Sequence, residues 1–224
     1  MTGNEMLSTL GLRLEDPQES SFTQAAKLDS LNIAQRSVVN LVHNSYLVEL
    51  QTIVANQAMV DYSVTYAVLT TENGQPIRNG IIAVKLNGGK WATMIEPGDQ
   101  KRLENTYLTG SATNPVSYVF GEKVYVDGAA TATTAIDVWY LRQPLAFVSA
   151  SAVTNVSQLL AAECEMNVAM HEVVVDLAES QLWKMDAKVD RANAAFANAK
   201  AQVDALNARY PSEAPSGIGT KGRA

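Results

Sequence analysis

The sequence predicts an α+β protein that is mainly α. N-terminal helices and a long C-terminal helix pack as a bundle, with a small antiparallel β region inserted between them. Three observations indicate this class: an N-terminal helical apolar pattern, period-two alternation among Asn-Gly turns, and a C-terminal apolar heptad. With 224 residues, the chain can bury a full core. We predict an N-terminal arm at 1–20, bundle helices at 21–58, the β region at 59–148, a long helical segment at 149–210 and a flexible tail at 211–224.

The N-terminal helical pattern follows the polar arm. Ser21 with Gln24 fits a capping box, in which both side chains bond the free backbone N–H groups of a first helical turn. One apolar face then recurs at spacings of three and four residues: Leu28, Leu31, Ala34, Val38 and Leu41. A second helical segment is predicted from Tyr46 to about Ala58, so the chain opens with two short helices or one bent helix.

The middle of the chain alternates with period two, which is typical of strands. The alternating apolar positions are Val60, Tyr62, Val64, Tyr66 and Val68, then Ile82, Val84 and Leu86, and finally Ile136, Val138 and Tyr140. The clearest hairpin joins 116–120 to 123–126 through Gly121 and Glu122. A Gly at the first central position suits a two-residue type II′ turn.

A heptad of apolar residues dominates the C-terminal part of the chain. Its principal positions are Leu182, Met185, Val189, Phe196, Val203 and Leu206, and no Gly or Pro interrupts it before Pro211. A continuous helix of about fifty residues would be about 75 Å long. Two interpretations stay open: one arm of an intramolecular bundle, or an intersubunit seam in which these six residues pack against another copy.

Composition and motifs indicate no enzyme. The net charge of −6 argues against a dedicated nucleic-acid binder, and one cysteine allows neither an intrachain disulfide nor a thiolate metal site. The G-x-G-x-x-G at Gly217, Gly219 and Gly222 lacks the strand and helix that dinucleotide binding needs. On one continuous helix, Cys164 and His171 would lie about 10 Å apart along the axis, too far for a catalytic pair. We expect no catalytic residue, cofactor or metal, and no membrane span.

The strand aromatics leave two interpretations. They are Tyr62, Tyr66, Trp91, Tyr118, Tyr125, Trp139 and Tyr140. Aromatic rings can form a stacking platform for nucleic-acid bases, but such platforms lie in a basic groove. Because no basic groove is evident, sheet core or subunit contact is favoured.

Three stretches together carry a family resemblance. The first is Phe22-Thr23 before a helix containing Leu31-Asn32 and Ala34-Gln35. The second is NPVSYVFGEKVYV from Asn114, followed by IDVWYLRQPL from Ile136 to Leu145. The third is the helical C-terminal region. In this order they resemble the head-to-tail adaptor (connector) proteins of tailed bacteriophages, although the Ala-rich last helix and the Gly/Asn-rich strands between 62 and 91 depart from that pattern.

The resemblance implies a structural virion protein, made in the bacterial cytoplasm and located at the head–tail interface of the capsid vertex. It implies a homo-oligomeric ring, usually a dodecamer, bound beneath the portal protein and above a tail tube, stopper or nozzle protein. Genomic DNA would pass through the lumen without specific binding, which suits the negative charge. We expect a portal contact in the tail at Ile218, Lys221 and Arg223. The hairpin Phe120, Gly121, Glu122 and Lys123 is a candidate contact with the portal or the tail.

Two other functions stay open. One is a different phage tail-completion or assembly factor, in which the heptad forms a coiled coil. The other is an enzyme on a helical scaffold. A coiled coil predicts a stable dimer or trimer, whereas an adaptor predicts a ring on the portal.

Overall fold

The computed structural model describes residues 1–87, 89–96, 98–99, 109–129, 131, 133–149, 154 and 157–209. Of these residues, 41% are helical and 28% lie in strands that form three sheets. The prediction of a mainly α protein with a small β insert is therefore wrong. The prediction failed because residues 51–58, which were expected to be helical, form a strand of the largest sheet instead.

Five α-helices occur in the described ranges: α1 (Gly3–Arg13), α2 (Gln24–Val38), α3 (Tyr66–Asn73), α4 (His171–Met185) and α5 (Val189–Asn207). Short 3₁₀ turns cover Asn44–Tyr46, Val48–Leu50 and Val168–Met170. Helix α1 replaces the predicted arm, because Thr2 and Glu5 form a capping box and Met6 and Leu10 are fully buried. Helix α2 starts two residues later than expected, with Thr23 rather than Ser21 as its N-cap.

The strands are β1 (Gln51–Ala58), β2 (Ser63–Thr65), β3 (Pro76–Leu86), β4 (Lys90–Trp91), β5 (Thr93–Met94), β6 (Val116–Phe120), β7 (Lys123–Asp127), β8 (Ala135–Arg142), β9 (Ala146–Val148) and β10 (Ser157–Leu159). The large sheet is antiparallel, in the order β1-β8-β3-β4. The second sheet has the order β2-β7-β6-β5, with β5 parallel to β6. Strands β9 and β10 form a parallel pair.

The sequence pattern misassigned two segments near the start of the β region. The helix predicted from Tyr46 to Ala58 is instead two 3₁₀ turns followed by β1, in which Thr52, Ile53 and Val54 pair with β8. These β-branched residues favour a strand. The strand predicted across Val60–Val68 ends at Thr65, and the chain continues as α3.

The β6–β7 hairpin is confirmed. Phe120 pairs with Lys123, so the connection is the predicted two-residue turn. Gly121 has φ +60°, the left-handed value that a type II′ turn requires at this position. A Cβ added at Gly121 would meet no atom within 4 Å, so the tip of the hairpin faces open space.

Two hydrophobic cores meet at strand β8. Helices α1, α2, α4 and α5 share one core, and the large and second sheets enclose the other. Adjacent residues of β8 point to opposite faces, so Tyr140 lies in the β core while Leu141 lies in the helical core. The Tyr140 hydroxyl lies 3.0 Å from the carbonyl oxygens of both Leu69 and Gly74, so its one hydrogen is shared between two acceptors.

Polar contacts tie the helices to the strands. The Asn32 side chain donates to the Phe147 carbonyl oxygen at 3.1 Å and accepts from the Phe147 N–H at 2.8 Å, as a neighbouring strand would. Arg142 forms a two-pronged ion pair with Glu165, with its Nη1 at 2.9 Å from Oε1. Asn32 thereby anchors β9 to α2, and Arg142 anchors the end of β8 to the segment before α4.

A buried carboxylate holds the connection between α1 and α2. Asp16 accepts hydrogen bonds from the backbone N–H groups of Ser20, Ser21 and Phe22, and the Lys27 ammonium lies 3.2 Å from it. Burial opposes ionisation of this carboxyl group, but these hydrogen bonds outweigh burial and lower the pKa of Asp16 below its usual value. Asp16 and Lys27 are both almost fully buried, and their opposite charges compensate each other. Removing either side chain would leave the other as an unpaired buried charge.

The predicted fifty-residue C-terminal helix is wrong. The chain instead forms α4 and α5 with a tight turn between them. Ala187 adopts φ +56°, the Lys188 N–H donates to the Trp183 carbonyl and the Ala187 N–H donates to the Lys184 carbonyl. These two bonds around a left-handed residue make a Schellman motif, which ends a helix. Helix α5 then packs back against α4, so the heptad finds its partner within the same chain.

Replacing Ala187 with Gly should raise the free energy of unfolding by about 1 kcal/mol, because an L-residue in the left-handed region is strained and Gly is not. Urea denaturation measures the change. Ala197→Gly, at an exposed position within α5, is the matched control and should lower the free energy of unfolding by about 1 kcal/mol. Equal destabilisation by both substitutions would contradict the turn.

Candidate functional site

Cys164 and His171, which the sequence offered as a possible catalytic pair, are buried and form hydrogen bonds within the chain. Cys164 is buried, and burial raises the pKa of its thiol to about 11. His171 is also buried: its Nε2 lies 2.8 Å from the Met166 carbonyl oxygen and its Nδ1 lies 2.8 Å from the Met1 amino group. Burial lowers the pKa of His171. Within the described ranges, no three His, Cys, Asp or Glu residues are grouped to hold a metal ion.

An ion-pair cluster joins α1, α4 and α5. The Arg13 guanidinium contacts Asp176 and Glu172 and lies 3.7 Å from Glu179. Gln202 donates to Asp176 at 2.6 Å. Burial raises the pKa of Asp176 despite the neighbouring guanidinium. Arg13 compensates the buried carboxylate, so this cluster holds the three helices together.

An apolar groove lies between α5 and the chain that follows α2. We call it the helix groove. Its volume is about 290 Å³, and its lining residues are Leu41, Leu177, Phe196, Ala199, Lys200, Val203, Asp204 and Asn207. Leu41 is 46% exposed and Phe196 is 45% exposed, so two large apolar side chains flank it in solvent. The Lys184 ammonium lies 5.4 Å from the centre of the Phe196 ring, a cation–π contact that holds the ring in place.

Hydrogen bonds fix one end of the helix groove. Asn207 donates to the Leu41 carbonyl oxygen and accepts from the His43 N–H, at 2.8 Å each. The Tyr46 hydroxyl donates to the Leu206 carbonyl oxygen at 3.2 Å. The last turn of α5 is therefore bound to the segment after α2, and the two walls of the groove keep a set separation.

The predicted intersubunit seam divides into two groups. Leu182, Val203 and Leu206 are buried in the helical core of the chain itself. Met185, Val189 and Phe196 are instead exposed, by 71%, 60% and 45%. Val189 and Phe196 are seven residues apart on α5 and therefore share a face. Only the exposed group is available to a second molecule in this fold.

The predicted contact hairpin has an apolar tip with charges of both signs. Phe120 is 61% exposed, and Gly121, Glu122 and Lys123 are exposed as well. Neither Glu122 nor Lys123 forms an ion pair with another described residue. The predicted portal-contact residues Ile218, Lys221 and Arg223 lie outside the described residues.

The outer face of the large sheet brings together two of the strand aromatics, which the sequence did not place on one exposed surface. Trp91 is 56% exposed and packs against Trp139, with ring centroids 4.8 Å apart. Lys85 lies over the Trp91 ring at 5.6 Å, and Ile53 pairs with Trp139 on the same face. The alternation in β8 could have indicated this face, because Trp139 falls on the side opposite to Val138 and Tyr140.

A tyrosine-lined cleft occupies the second sheet. Tyr118 and Tyr125 stack with centroids 5.1 Å apart, and Tyr62 contributes a third ring to a cleft of about 310 Å³. Burial, with smaller effects from Tyr125 and Asp127, raises the pKa of Tyr118. Of the remaining aromatics predicted to lie in strands, Tyr66 begins α3, and both Tyr66 and Tyr140 are buried in the β core. The aromatics thus divide between the core and exposed faces.

No model of a known protein family matches this chain, and a search of curated proteins finds no match either. None of the described helices combines the length and apolar character needed to cross a bilayer.

Replacing Asn207 with Ala should lower the free energy of unfolding by about 2 kcal/mol, because it removes two hydrogen bonds that close the helix groove. Asn198→Ala, at an exposed position of the same helix, shares any gain in helix propensity and should change stability by less than about 0.5 kcal/mol. Chemical denaturation of both variants measures the difference. Equal effects would show that Asn207 does not hold the groove.

Proposed function

We propose that this protein is a structural head-to-tail adaptor of a tailed bacteriophage. It forms a homo-oligomeric ring beneath the portal, gives passage to the genomic DNA and provides a platform for the next tail protein. Its work is binding to other protein subunits at the capsid vertex. The resemblance carried by the Phe22-Thr23 helix start, the β6–β7 hairpin and the final strand is the origin of the proposal.

One observation carries the proposal: separate exposed apolar surfaces lie on different elements of one small chain. They are the helix groove, the tip of the β6–β7 hairpin, and the Trp91–Trp139 face of the large sheet. Large apolar side chains that stay exposed on a folded surface favour contact with another protein where they cluster. A subunit of a ring that also binds a portal and a tail protein needs several such sites, because each neighbour occupies a different face.

Charge supports the role of a conduit. The net charge is −6, so the chain as a whole repels the phosphate backbone. Strong DNA binding requires clustered Lys and Arg that release counterions. A ring that lets DNA pass through must not hold it.

The residues that carry the resemblance also have structural tasks. Asn32 completes the edge of β9, and Phe22 packs edge-to-face on Trp183 with centroids 6.0 Å apart. The Tyr140 hydroxyl bonds to carbonyl groups within and just after α3, and Arg142 binds Glu165. The residues that carry the resemblance therefore belong to the cores and to the contacts that hold the strands and helices in place.

The coiled-coil alternative loses its main support. A parallel coiled coil requires the heptad to continue along one straight helix. Here the heptad turns back at Ala187, and three of its six principal residues are buried within the chain. We therefore do not propose an assembly factor built on that helix.

The mass of the complex with a portal tests the proposal. The purified protein is measured by native mass spectrometry alone and after mixing with its candidate portal. We expect binding in a fixed ring stoichiometry that matches the portal symmetry. A chain that ignores the portal would contradict the adaptor function.

Deletion of residues 211–224 tests the portal contact that we assign to Ile218, Lys221 and Arg223. We expect the truncated protein to retain its fold, measured by circular dichroism and thermal unfolding, and to lose attachment to the portal. Lys221→Ala with Arg223→Ala in the full-length chain is the finer variant and should weaken attachment. Unchanged attachment of the truncated protein would remove the tail from the interface.

A further inference from the structure

We infer that the tip of the β6–β7 hairpin of one copy inserts into the helix groove of the next copy. The contact is heterologous, since a hairpin meets a groove rather than its own equivalent. The inference rests on the proposed function in one respect, namely that repetition of this contact closes a ring. The contact between the two surfaces depends only on the hairpin tip and the helix groove.

The hairpin tip has the shape of an inserting element. A two-residue turn at Gly121 connects β6 to β7, and a Cβ added at Gly121 would meet no atom within 4 Å. The Tyr66 N–H donates to the Glu122 carbonyl oxygen at 2.8 Å, so the Glu122 end of the turn is held while the Gly121 side stays open. Phe120 is 61% exposed beside this turn, although β6 carries buried residues such as Val119 only one position earlier. An aromatic side chain at the end of a hairpin can bury a large apolar area against a partner, and it loses little side-chain entropy when it does so.

The helix groove has the dimensions of a receptor for one such element. Its volume of about 290 Å³ is near the lower limit of roughly 300 Å³ for small-molecule pockets, so it admits a few side-chain groups. Phe196 and Leu41 flank it, and Ala199 and Val203 lie along α5 between them and the core. An inserted Phe120 ring would cover the exposed parts of Phe196 and Leu41.

Charges on the two surfaces are complementary. Glu122 and Lys123 are adjacent at the hairpin tip, and Lys200 and Asp204 stand one helical turn apart on the groove. Residues four apart on a helix have Cβ atoms about 5–6 Å from each other. None of these four side chains has an ion-pair partner among the described residues. Insertion of the hairpin can therefore pair Glu122 with Lys200 and Lys123 with Asp204.

Both surfaces belong to the same chain, and each carries one acidic and one basic side chain that the other can pair. A second copy therefore supplies an exposed aromatic group and matching charges for the groove. A contact between unlike surfaces of identical subunits repeats around a ring or along a filament, whereas a contact between like surfaces stops at a dimer. A portal or tail protein that binds the hairpin is the competing outcome, and the experiments below distinguish it.

A mixing experiment tests the head-to-tail contact. Phe120→Asp removes the inserting side chain and leaves the groove, whereas Phe196→Glu blocks the groove and leaves the hairpin. Sedimentation velocity of the full chain at rising concentration should show self-association weakened by roughly tenfold or more in each variant, as for central aromatic residues of interfaces. An equimolar mixture should form a heterodimer that grows no further, because one intact hairpin and one intact groove remain.

Matched variants control for folding and for general loss of apolar surface. Val168→Asp changes a side chain that is 77% exposed and lies outside both surfaces, so it should leave self-association unchanged. Lys200→Glu and Glu122→Lys are surface charge changes that should each weaken association, and their combination in one chain should restore it. Self-association of Phe120→Asp and Phe196→Glu equal to that of the unmodified chain would overturn the inference.

A disulfide links the two surfaces directly. The only native cysteine is buried, so a full-length chain with Glu122→Cys and Lys200→Cys reports on the proposed contact. Oxidation at high concentration should yield chains joined in series, with each bond between residues 122 and 200 of different copies. Glu122→Cys with Asn193→Cys, at an exposed site elsewhere on α5, is the control and should give little product. Absence of the 122–200 bond, or its replacement by a bond from residue 122 to a candidate portal, overturns the inference.

The outcomes separate this inference from the adaptor function. If a ring assembles on the portal while both hairpin and groove variants still assemble, the adaptor function stands and this contact fails. If the heterodimer and the 122–200 bond form but the chain ignores the portal, the contact stands and the adaptor function fails.

Discussion

Strand β8 is the element on which both halves of the fold depend. It pairs with β1 on one side and β3 on the other, so it is the backbone of the large sheet. Its alternating faces place Tyr140 in the β core and Leu141 in the helical core. A shift of one residue in its register would exchange these side chains and leave each core without its central member. Arg142, at the end of the strand, then binds Glu165 and fixes the approach to α4.

The C-terminal heptad predicted an apolar stripe but not the turn that divides it into two helices. It marked a stripe that needs an apolar partner and left open another copy or an intramolecular bundle. Helix α4 does pack against α1 and α2, but the pattern did not predict that α5 folds back on α4. Helix breaks are usually indicated by Gly or Pro, and neither is present here. The left-handed residue is Ala187, whose strain is overcome by the burial that follows when α5 packs on α4. Tertiary packing thus decides the turn, and a local pattern cannot report it.

The β region was predicted best where local geometry alone decides the structure. The Gly121-Glu122 hairpin followed from the turn chemistry of two residues, and the alternation of Ile136, Val138 and Tyr140 marked β8. Strand β1 was missed because its residues also fit a helical face, and its pairing partners lie more than seventy positions later. The helix groove was beyond reach for the same reason, since Asn207 and the Leu41 carbonyl are 166 positions apart. Contacts of this sequence separation leave no periodic signal.

The distribution of polar and apolar side chains decides what kind of function the fold favours. Titratable groups that could support chemistry, such as His171, Cys164 and Asp176, form hydrogen bonds to other residues of the same chain. The described surface instead leaves large apolar groups substantially exposed to solvent, among them Phe120, Phe196 and Trp91. Burying such side chains against another molecule contributes roughly 25 cal/mol for each Å² of apolar area removed from water. The exposed apolar side chains therefore favour association with another protein over chemistry at a buried site. Charges beside the exposed aromatics, such as Lys200 and Glu122, would then determine which surfaces bind each other.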